Sequence, residues 1–333
     1  MTATGGFAVL GAGSWGTALA VQLGRQGAPI TLWGRNPADL AAIGRHRVNA
    51  RYLPGIELSA SIAVDHDLDR VVRHHRDFLV CVPSHAFRST LAAIRPGLAA
   101  DARVAWATKG FEHDTGRLPH EVAREELGAG IPMAVLSGPT FAREVGAGLP
   151  TAMTIAASEP SFAAAMATRL SDRAFRAYTT GDMVGVEVGG AVKNVLAIGA
   201  GMSDGLGFGA NARIALITRG LAEMSSLGTA LGGDMLTFMG LSGMGDLVLT
   251  CTDDQSRNRR FGLAIARGET PEDAARSIGQ VVEGRFAAAA VRMVARRLDV
   301  EMPISEQVYR VLEEGVPPRD AAMALLARAL GPE

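Results

Sequence analysis

Cysteine is scarce in this chain of 333 residues, which has Cys81 and Cys251 far apart in sequence and no others. Disulfide-stapled folds need paired cysteines and structural zinc sites need clustered ones, so the sequence excludes both classes. Each thiol lies in or directly after an apolar run, which predicts two reduced and buried cysteines.

Charge of one sign is also missing, because 33 basic residues balance 34 acidic ones and the net charge is −1. No global field therefore favours nucleic acid or a membrane surface as a partner. Glu187, Lys193 and Asn194 interrupt the best candidate for a membrane-spanning run, 185–201. The first strand begins almost at the N-terminus and leaves no room for a signal peptide, so we expect a soluble cytoplasmic protein.

Metal and hydrolase motifs are lacking as well. The seven histidines show no metal-ligand spacing, so we predict no bound metal and expect the histidines on the surface. The G-x-S-x-G element of α/β-hydrolases does not occur.

The chain does have, at its start, a short apolar run that ends in a G-x-G-x-x-G pattern at 11–16. Gly11 permits the sharp turn, Gly13 lets a pyrophosphate approach the backbone, and Gly16 lets the following helix pack on the strand. The N–H groups that open a helix can hold a phosphate. The pattern indicates dinucleotide binding, and a glycine-rich turn that binds nothing is the alternative.

Apolar strands alternate with helical stretches through the first half of the chain. The predicted strands are 7–10, 29–33, 77–82, 103–107, 133–136, 151–157 and 175–179. This alternation predicts an α/β fold with a Rossmann-type, doubly wound and mostly parallel sheet. Ligands bind beyond the carboxyl ends of such strands, where Arg35, Lys109 and residues 138–142 follow.

Helical spacing replaces this alternation near residue 182. The predicted helices of the second half are 184–207, 210–226, 257–267, 283–297, 305–313 and 319–330. The sequence therefore predicts two domains, an NAD(P)-binding Rossmann domain at 1–184 and an all-helical substrate domain at 185–333.

Arg35 follows the second predicted strand, where NAD-binding versions of the fold carry an acidic residue. A guanidinium there can pair with a 2′-phosphate and stack on adenine, which favours NADP or tolerance of both cofactors. A solvated surface arginine is the alternative.

Lys193 stands among valine, leucine and alanine in the long predicted helix, and Gly189 and Ala197 on its face leave room for another group. Desolvation would lower its pKa toward the range useful for proton transfer. A lysine that reaches water from the edge of the helix fits the local sequence equally well.

Two polar stretches complete the candidate chemistry. Asp246 follows a glycine-rich turn and could orient a catalytic lysine, bond a substrate hydroxyl or cap a helix. Ser256 fits an N-cap, and Arg257 and Asn258 would then occupy the first turn of a helix. That arrangement suits a phosphate group, with a solvated basic face as the alternative.

These stretches occur here in the order of one known family. The stretches are 11–16, 106–110, 136–142, 192–194, 243–246, 256–258 and 281–284. Together they resemble bacterial NAD(P)-dependent glycerol-3-phosphate dehydrogenases over nearly the whole chain. The resemblance implies reversible hydride transfer between NAD(P)H and C2 of dihydroxyacetone phosphate, giving sn-glycerol 3-phosphate for phospholipid synthesis. It also suggests a homodimer.

The resemblance implies roles for individual residues. Lys193 would donate and accept the proton, with Lys109 and Asp246 shaping the local field. NADP or NAD would contact Gly11, Gly13, Ser14, Trp15, Gly16, Arg35, Lys109, Ala142, Arg257, Val281 and Glu283. Substrate would contact Lys109, Gly138, Thr140, Lys193, Asp246, Ser256, Arg257 and Asn258. Thr140 stands where many members have serine, and the hydroxyl is kept.

Two other functions stay open. A β-hydroxyacid dehydrogenase would share the two-domain plan and the catalytic lysine but would take a carboxylate substrate. A non-catalytic dinucleotide sensor would need the turn at 11–16 but not Lys193, Asp246 and Asn258.

Overall fold

The computed structural model describes residues 6–328, which form two compact units. The first unit is the chain up to Thr108 together with Pro119–Met183, and the second is Lys109–Leu118 together with the chain from Val184 onwards. Residues 109–118 were expected in the sheet domain, whereas this segment packs with the helical unit. The start of the first predicted domain, the end of the second, and the end of the predicted helix 319–330 lie outside the described residues.

The first unit contains the strands of the fold. They are β1 (Phe7–Leu10), β2 (Ile30–Trp33), β3 (Val48–Asn49), β4 (Leu53–Glu57), β5 (Ile62–Asp65), β6 (Asp77–Val80), β7 (Arg103–Trp106), β8 (Met133–Ser137), β9 (Thr151–Ala157) and β10 (Phe175–Thr180).

The main sheet has the strand order β10-β9-β8-β7-β6-β1-β2-β5. Its described neighbours run parallel apart from β8 and β9, which run antiparallel. β1 and β6 are buried along their whole length, as expected of central strands that are covered on both faces. The predicted doubly wound, mostly parallel sheet is confirmed.

Helices connect these strands. They are α1 (Ser14–Gly24), α2 (Pro37–His46), α3 (Leu68–His74), α4 (Ser84–Ile94), α5 (Pro119–Leu127), α6 (Ala142–Ala147) and α7 (Pro160–Leu170). The residues at the start of α2 explain why this helix begins where it does. Asn36 accepts hydrogen bonds from the backbone N–H groups of Ala38 and Asp39, and Pro37 occupies the first helical position.

The second unit is helical in its described part. Its helices are α8 (Met183–Gly205), α9 (Gly209–Ala230), α10 (Met235–Met239), α11 (Asp246–Thr252), α12 (Arg257–Ala266), α13 (Pro271–Ile278), α14 (Glu283–Arg297), α15 (Pro303–Glu313) and α16 (Pro318–Leu326). A single π-type turn, Leu241–Gly245, joins α10 to α11.

α8 forms the centre of this unit. It is long and apolar enough to cross a membrane by length and composition, but 94% of its most apolar stretch is buried inside the protein. Val192, Val195 and Leu196 are fully buried, and the surrounding helices pack around them. A mostly apolar helix that is enclosed in this way is a core helix.

Candidate active site

The glycine turn after β1 has the geometry of a phosphate cradle. Gly11 has a φ of +127°, and a Cβ there would lie 2.6 Å from the backbone oxygen of Cys81. A Cβ on Gly16 would lie 1.9 Å from the Gly11 oxygen, so only glycine lets α1 start this close to the turn. A Cβ on Gly13 would meet nothing within 4 Å. Space therefore remains for a ligand before the N-terminus of α1, which attracts anions.

Asn49 supports this turn and was not found by sequence analysis. Its buried Nδ2 donates to the backbone oxygen of Ala12 at 2.9 Å and to Oγ1 of Thr17 at 2.8 Å. The residue lies in the two-residue strand β3, where the sequence carries no signal that would connect it to α1.

Among the predicted cofactor residues, Trp15 lies at the glycine turn and Arg35 follows β2. The indole Nε1 of Trp15 is buried and has no hydrogen-bond partner among the described residues. A buried indole N–H normally has such a partner. Arg35 is exposed directly after β2, as the sequence placed it.

The loop between β8 and α6 carries Gly138, Thr140 and Ala142. A Cβ on Gly138 would lie 2.8 Å from Cα of Met153, so the close pass of β9 requires glycine there. Thr140 Oγ1 donates to the Gly138 oxygen at 3.2 Å, and Ala142 begins α6.

In the second unit, one carboxylate bridges two lysines. Lys109 Nζ donates to Asp246 Oδ2 at 2.6 Å, and Lys193 Nζ donates to Asp246 Oδ1. The side chain of Asp246 is 1% exposed, that of Lys193 is 8% and that of Lys109 is 17%. The three residues form a buried cluster with one excess positive charge.

Burial dominates the electrostatics of this cluster. Desolvation and, to a smaller extent, the charge of Lys109 outweigh the opposing charge of Asp246 and lower the pKa of Lys193 to about 7. Burial alone would raise the pKa of Asp246, but the two lysines hold it below its usual value. Lys193 can therefore exchange a proton near neutral pH while Asp246 stays ionised.

Close backbone packing brings Asp246 to Lys193. A Cβ on Gly189, one turn before Lys193, would lie 2.5 Å from the Ser242 oxygen. A Cβ on Gly243 would lie 2.1 Å from the backbone oxygen of Phe238. The room that the sequence predicted on the lysine face of α8 is thus filled by the π-type turn that leads into α11.

One more polar side chain, that of Thr250, contacts this cluster, and Asn194 beside Lys193 connects α8 to Asn258. Sequence analysis assigned a role to neither. Thr250 Oγ1 lies 3.2 Å from Lys193 Nζ and donates to the backbone oxygen of Asp246 at 2.6 Å. Asn194 follows Lys193 on α8, and its Oδ1 accepts from Nδ2 of Asn258 at 2.8 Å. The spacing of Thr250 four residues after Asp246 was the available signal.

The predicted N-cap at Ser256 is confirmed, because its Oγ accepts from the backbone N–H of Arg259. Arg257, at the first position of α12, is partly buried, and its guanidinium has no hydrogen bond or ion pair among the described residues. Burial lowers the pKa of this guanidinium, Glu283 opposes that effect and Arg260 adds to it.

The basic cluster at 257–260 does not act as one surface. Arg259 is buried and paired with Asp204 and Asp254, and Arg260 is exposed. The charge of Arg259 is therefore already balanced by these two carboxylates.

Val281 and Glu283 lie at the start of α14, next to its N-cap residue Val282. Asn258 Oδ1 accepts from the backbone N–H of Gly284 at 3.0 Å, which ties this start to α12. A Cβ on Gly284 would lie 2.5 Å from the backbone oxygen of Asn194, so the start of α14 is in direct backbone contact with α8.

The remaining thiols and histidines add little chemistry. Both cysteines are free, and burial raises the pKa of the Cys251 thiol to about 12. His120 is buried, so the expectation of surface histidines is wrong there. Within residues 6–328, no group of three or more His, Cys, Asp or Glu side chains could hold a metal ion.

Known proteins resemble this chain over almost its full length. The family models described as NAD-dependent glycerol-3-phosphate dehydrogenase match residues 6–163 (N-terminus) and 182–323 (C-terminus). Glycerol-3-phosphate dehydrogenase (NAD(P)+) of Pseudoalteromonas translucida is 56% identical and 98% of each chain is covered. That of Edwardsiella ictaluri is 54% identical, covering 98% of this chain and 97% of its own. The crystal structure of the Coxiella burnetii glycerol-3-phosphate dehydrogenase superimposes with a TM-score of 0.95 at 46% identity. The match covers 97% of this chain and 99% of that one.

Proposed function

The chain belongs to the NAD-dependent glycerol-3-phosphate dehydrogenase family, and we propose that it interconverts dihydroxyacetone phosphate and sn-glycerol 3-phosphate. The observation that carries the proposed mechanism is the buried cluster of Lys193, Asp246 and Lys109. A lysine with a pKa of about 7 suits the proton transfer that accompanies reduction of a ketone. The product would supply the backbone of phospholipids.

The proposed cofactor residues fit a dinucleotide at three points. A Cβ on Gly13 would meet open space, Trp15 offers an unpartnered buried N–H, and Arg35 is exposed where a 2′-phosphate would arrive. Gly11, Ser14, Gly16, Lys109, Ala142, Arg257, Val281 and Glu283 complete the proposed set. NADP or NAD, when bound, supplies or accepts the hydride at its nicotinamide.

Arg257 is the proposed ligand of the substrate phosphate. Its partly buried guanidinium has no partner among the described residues, and a guanidinium can hold a phosphate bidentately. Its place at the N-terminus of α12 favours an anion further. Gly138, Thr140, Ser256 and Asn258 are proposed to complete the substrate contacts.

The chain's own residues account for the movement of the proton. In the reductive direction negative charge grows on the C2 oxygen, and protonated Lys193 donates to it. Asp246 and Thr250 hold the Lys193 amine in one orientation, while Lys109 adds positive charge beside it. In the oxidative direction, neutral Lys193 accepts the proton of the C2 hydroxyl.

We extend the proposal to a homodimer in the cytoplasm that binds neither nucleic acid nor membrane. The near-zero net charge supports the absence of polyanionic partners. Exposed Met235, Leu236 and Met239 on α10 supply an apolar surface that a second copy could cover. Sedimentation of the purified protein as a monomer would contradict the dimer.

The test of the activity is the absorbance of the reduced nicotinamide while the protein meets dihydroxyacetone phosphate with NADPH or, in parallel, NADH. We expect rapid oxidation of one or both, and the exposed Arg35 favours NADPH. No oxidation by folded protein that binds the cofactor would reject the activity. Turnover of a β-hydroxy acid instead would support the related dehydrogenase class.

A further inference from the structure

A buried ion pair fastens the first turn of α12 to the end of α8. Arg259 Nη2 donates to Asp204 Oδ2 at 2.7 Å, and the two side chains are 11% and 9% exposed. Arg213 on α9 also donates to Asp204, at 2.9 Å and 3.0 Å. The second contact of Arg259 is Asp254, whose side chain is 79% exposed. Asp204 is therefore the enclosed partner of Arg259, and Asp254 is the solvated one.

α8 and α12 also contact each other directly through their backbones. A Cβ on Gly201 of α8 would lie 2.0 Å from the Arg259 oxygen, and a Cβ on Gly262 of α12 would lie 2.1 Å from the Ile198 oxygen. Backbone contact of this kind fixes the separation of the helices, because no side chain lies between them to adjust. α8 carries Lys193 and α12 carries Arg257, so the contact sets the spacing between the proton site and the phosphate site.

Electrostatics explain why this contact needs a carboxylate. The first turn of α12 holds Arg257, Arg259 and Arg260 at the end of a helix that disfavours cations. Asp204 balances Arg259 inside the protein, where a salt bridge is screened little by solvent. The charge of Arg257 then remains available to an anion, while the turn that carries it is held against α8.

We propose that Asp204 is a positioning residue for the phosphate end of the substrate, acting through Arg259 on the turn that carries Ser256, Arg257 and Asn258. The proposal rests on the proposed function, because it assigns that turn to substrate phosphate. It follows that Asp204 helps to select substrates whose phosphate and carbonyl match the fixed spacing between Arg257 and Lys193.

The test compares Asp204→Asn with two matched variants. Asp254→Asn makes the same change at the solvated partner of Arg259, and Arg213→Gln disturbs the same carboxylate from α9. We expect Asp204→Asn to raise the KM for dihydroxyacetone phosphate about tenfold, because a small displacement of a binding group is costly. Its kcat should stay near that of the parent protein. Both matched variants should keep the parent KM.

A merely structural role would give a different pattern. Loss of folded protein lowers the apparent kcat and leaves KM unchanged, so an unchanged KM in folded Asp204→Asn overturns the proposal. If Asp204→Asn does not fold, Arg259→Lys replaces it, since an ammonium cannot reproduce the guanidinium fork. A parent-like KM in Arg259→Lys overturns the proposal as well. If the parent protein oxidised neither NADPH nor NADH with dihydroxyacetone phosphate, that result would instead reject the proposed function, and the inference with it.

Discussion

Single residues decide the chemistry of this protein, and Lys193 is the clearest case. A lysine within an apolar helix was visible in the sequence as a candidate acid or base, and Asp246 was visible as a partner that could orient it. Their contact was not visible, because 53 residues separate them and the π-type turn that joins them has no simple periodicity. Thr250 was missed because a threonine inside a helix is ordinary by itself.

The pH dependence of turnover should follow the proton on Lys193. Reduction requires the protonated amine, so the rate of reduction should fall as pH rises through about 7. Oxidation requires the neutral amine, so its rate should rise through the same range. Steady-state kcat measured in both directions checks this, and parallel profiles in the two directions would contradict it.

Asp246→Asn should move that profile. Asp246 raises the pKa of Lys193, so its neutral replacement should shift the falling limb of the reductive profile to lower pH. We expect kcat to drop about a hundredfold, because the amine loses a charged hydrogen-bond partner that orients it. A limb that stays in place or moves to higher pH would show that Asp246 does not tune Lys193.

At the scale of elements, strong local patterns predicted the strands and the long helices well. β1, β6 and β8 are mostly apolar and buried along their whole length, and α14 begins and ends as its spacing indicated. β5 was missed because this edge strand of four residues has a mixed burial pattern and ends in an acid. The antiparallel pairing of β9 with β8 was missed because residue periodicity carries no information on strand direction.

The glycine turn offers a test that separates folding from binding. Gly13→Ala adds a methyl group to open space at a compatible backbone angle, φ −79°, so thermal stability should hold. The Kd for NADPH should rise about tenfold or more, because the methyl occupies the place proposed for the pyrophosphate.

Gly16→Ala is the matched change on the same turn. Its Cβ would lie 1.9 Å from a backbone oxygen, so we expect a loss of about 1–3 kcal/mol in the free energy of unfolding. Thermal melts and fluorescence titration with NADPH measure both variants. Unaltered NADPH affinity in Gly13→Ala would remove the turn from the cofactor site.

At the scale of the whole molecule, one short segment in the first half of the chain belongs to the second unit. Residues 109–118 pack with the helical unit. The rings of His113 and Phe286 stack with their centroids 5.3 Å apart, and a Cβ on Gly116 would lie 2.7 Å from the side chain of Val294. Lys109 thereby joins Lys193 and Asp246 inside one unit. Residue periodicity could not predict this packing, because a short polar loop after a strand does not reveal what it packs against.

The central claim is that Lys193 transfers the proton in a dehydrogenase whose cofactor is held by other residues. The most direct measurement is the turnover of Lys193→Ala with dihydroxyacetone phosphate and NADPH, together with its Kd for NADPH. We predict that kcat falls by roughly 10³-fold or more while the Kd stays within a factor of about two. A variant that turns over at nearly the parent rate would contradict the account.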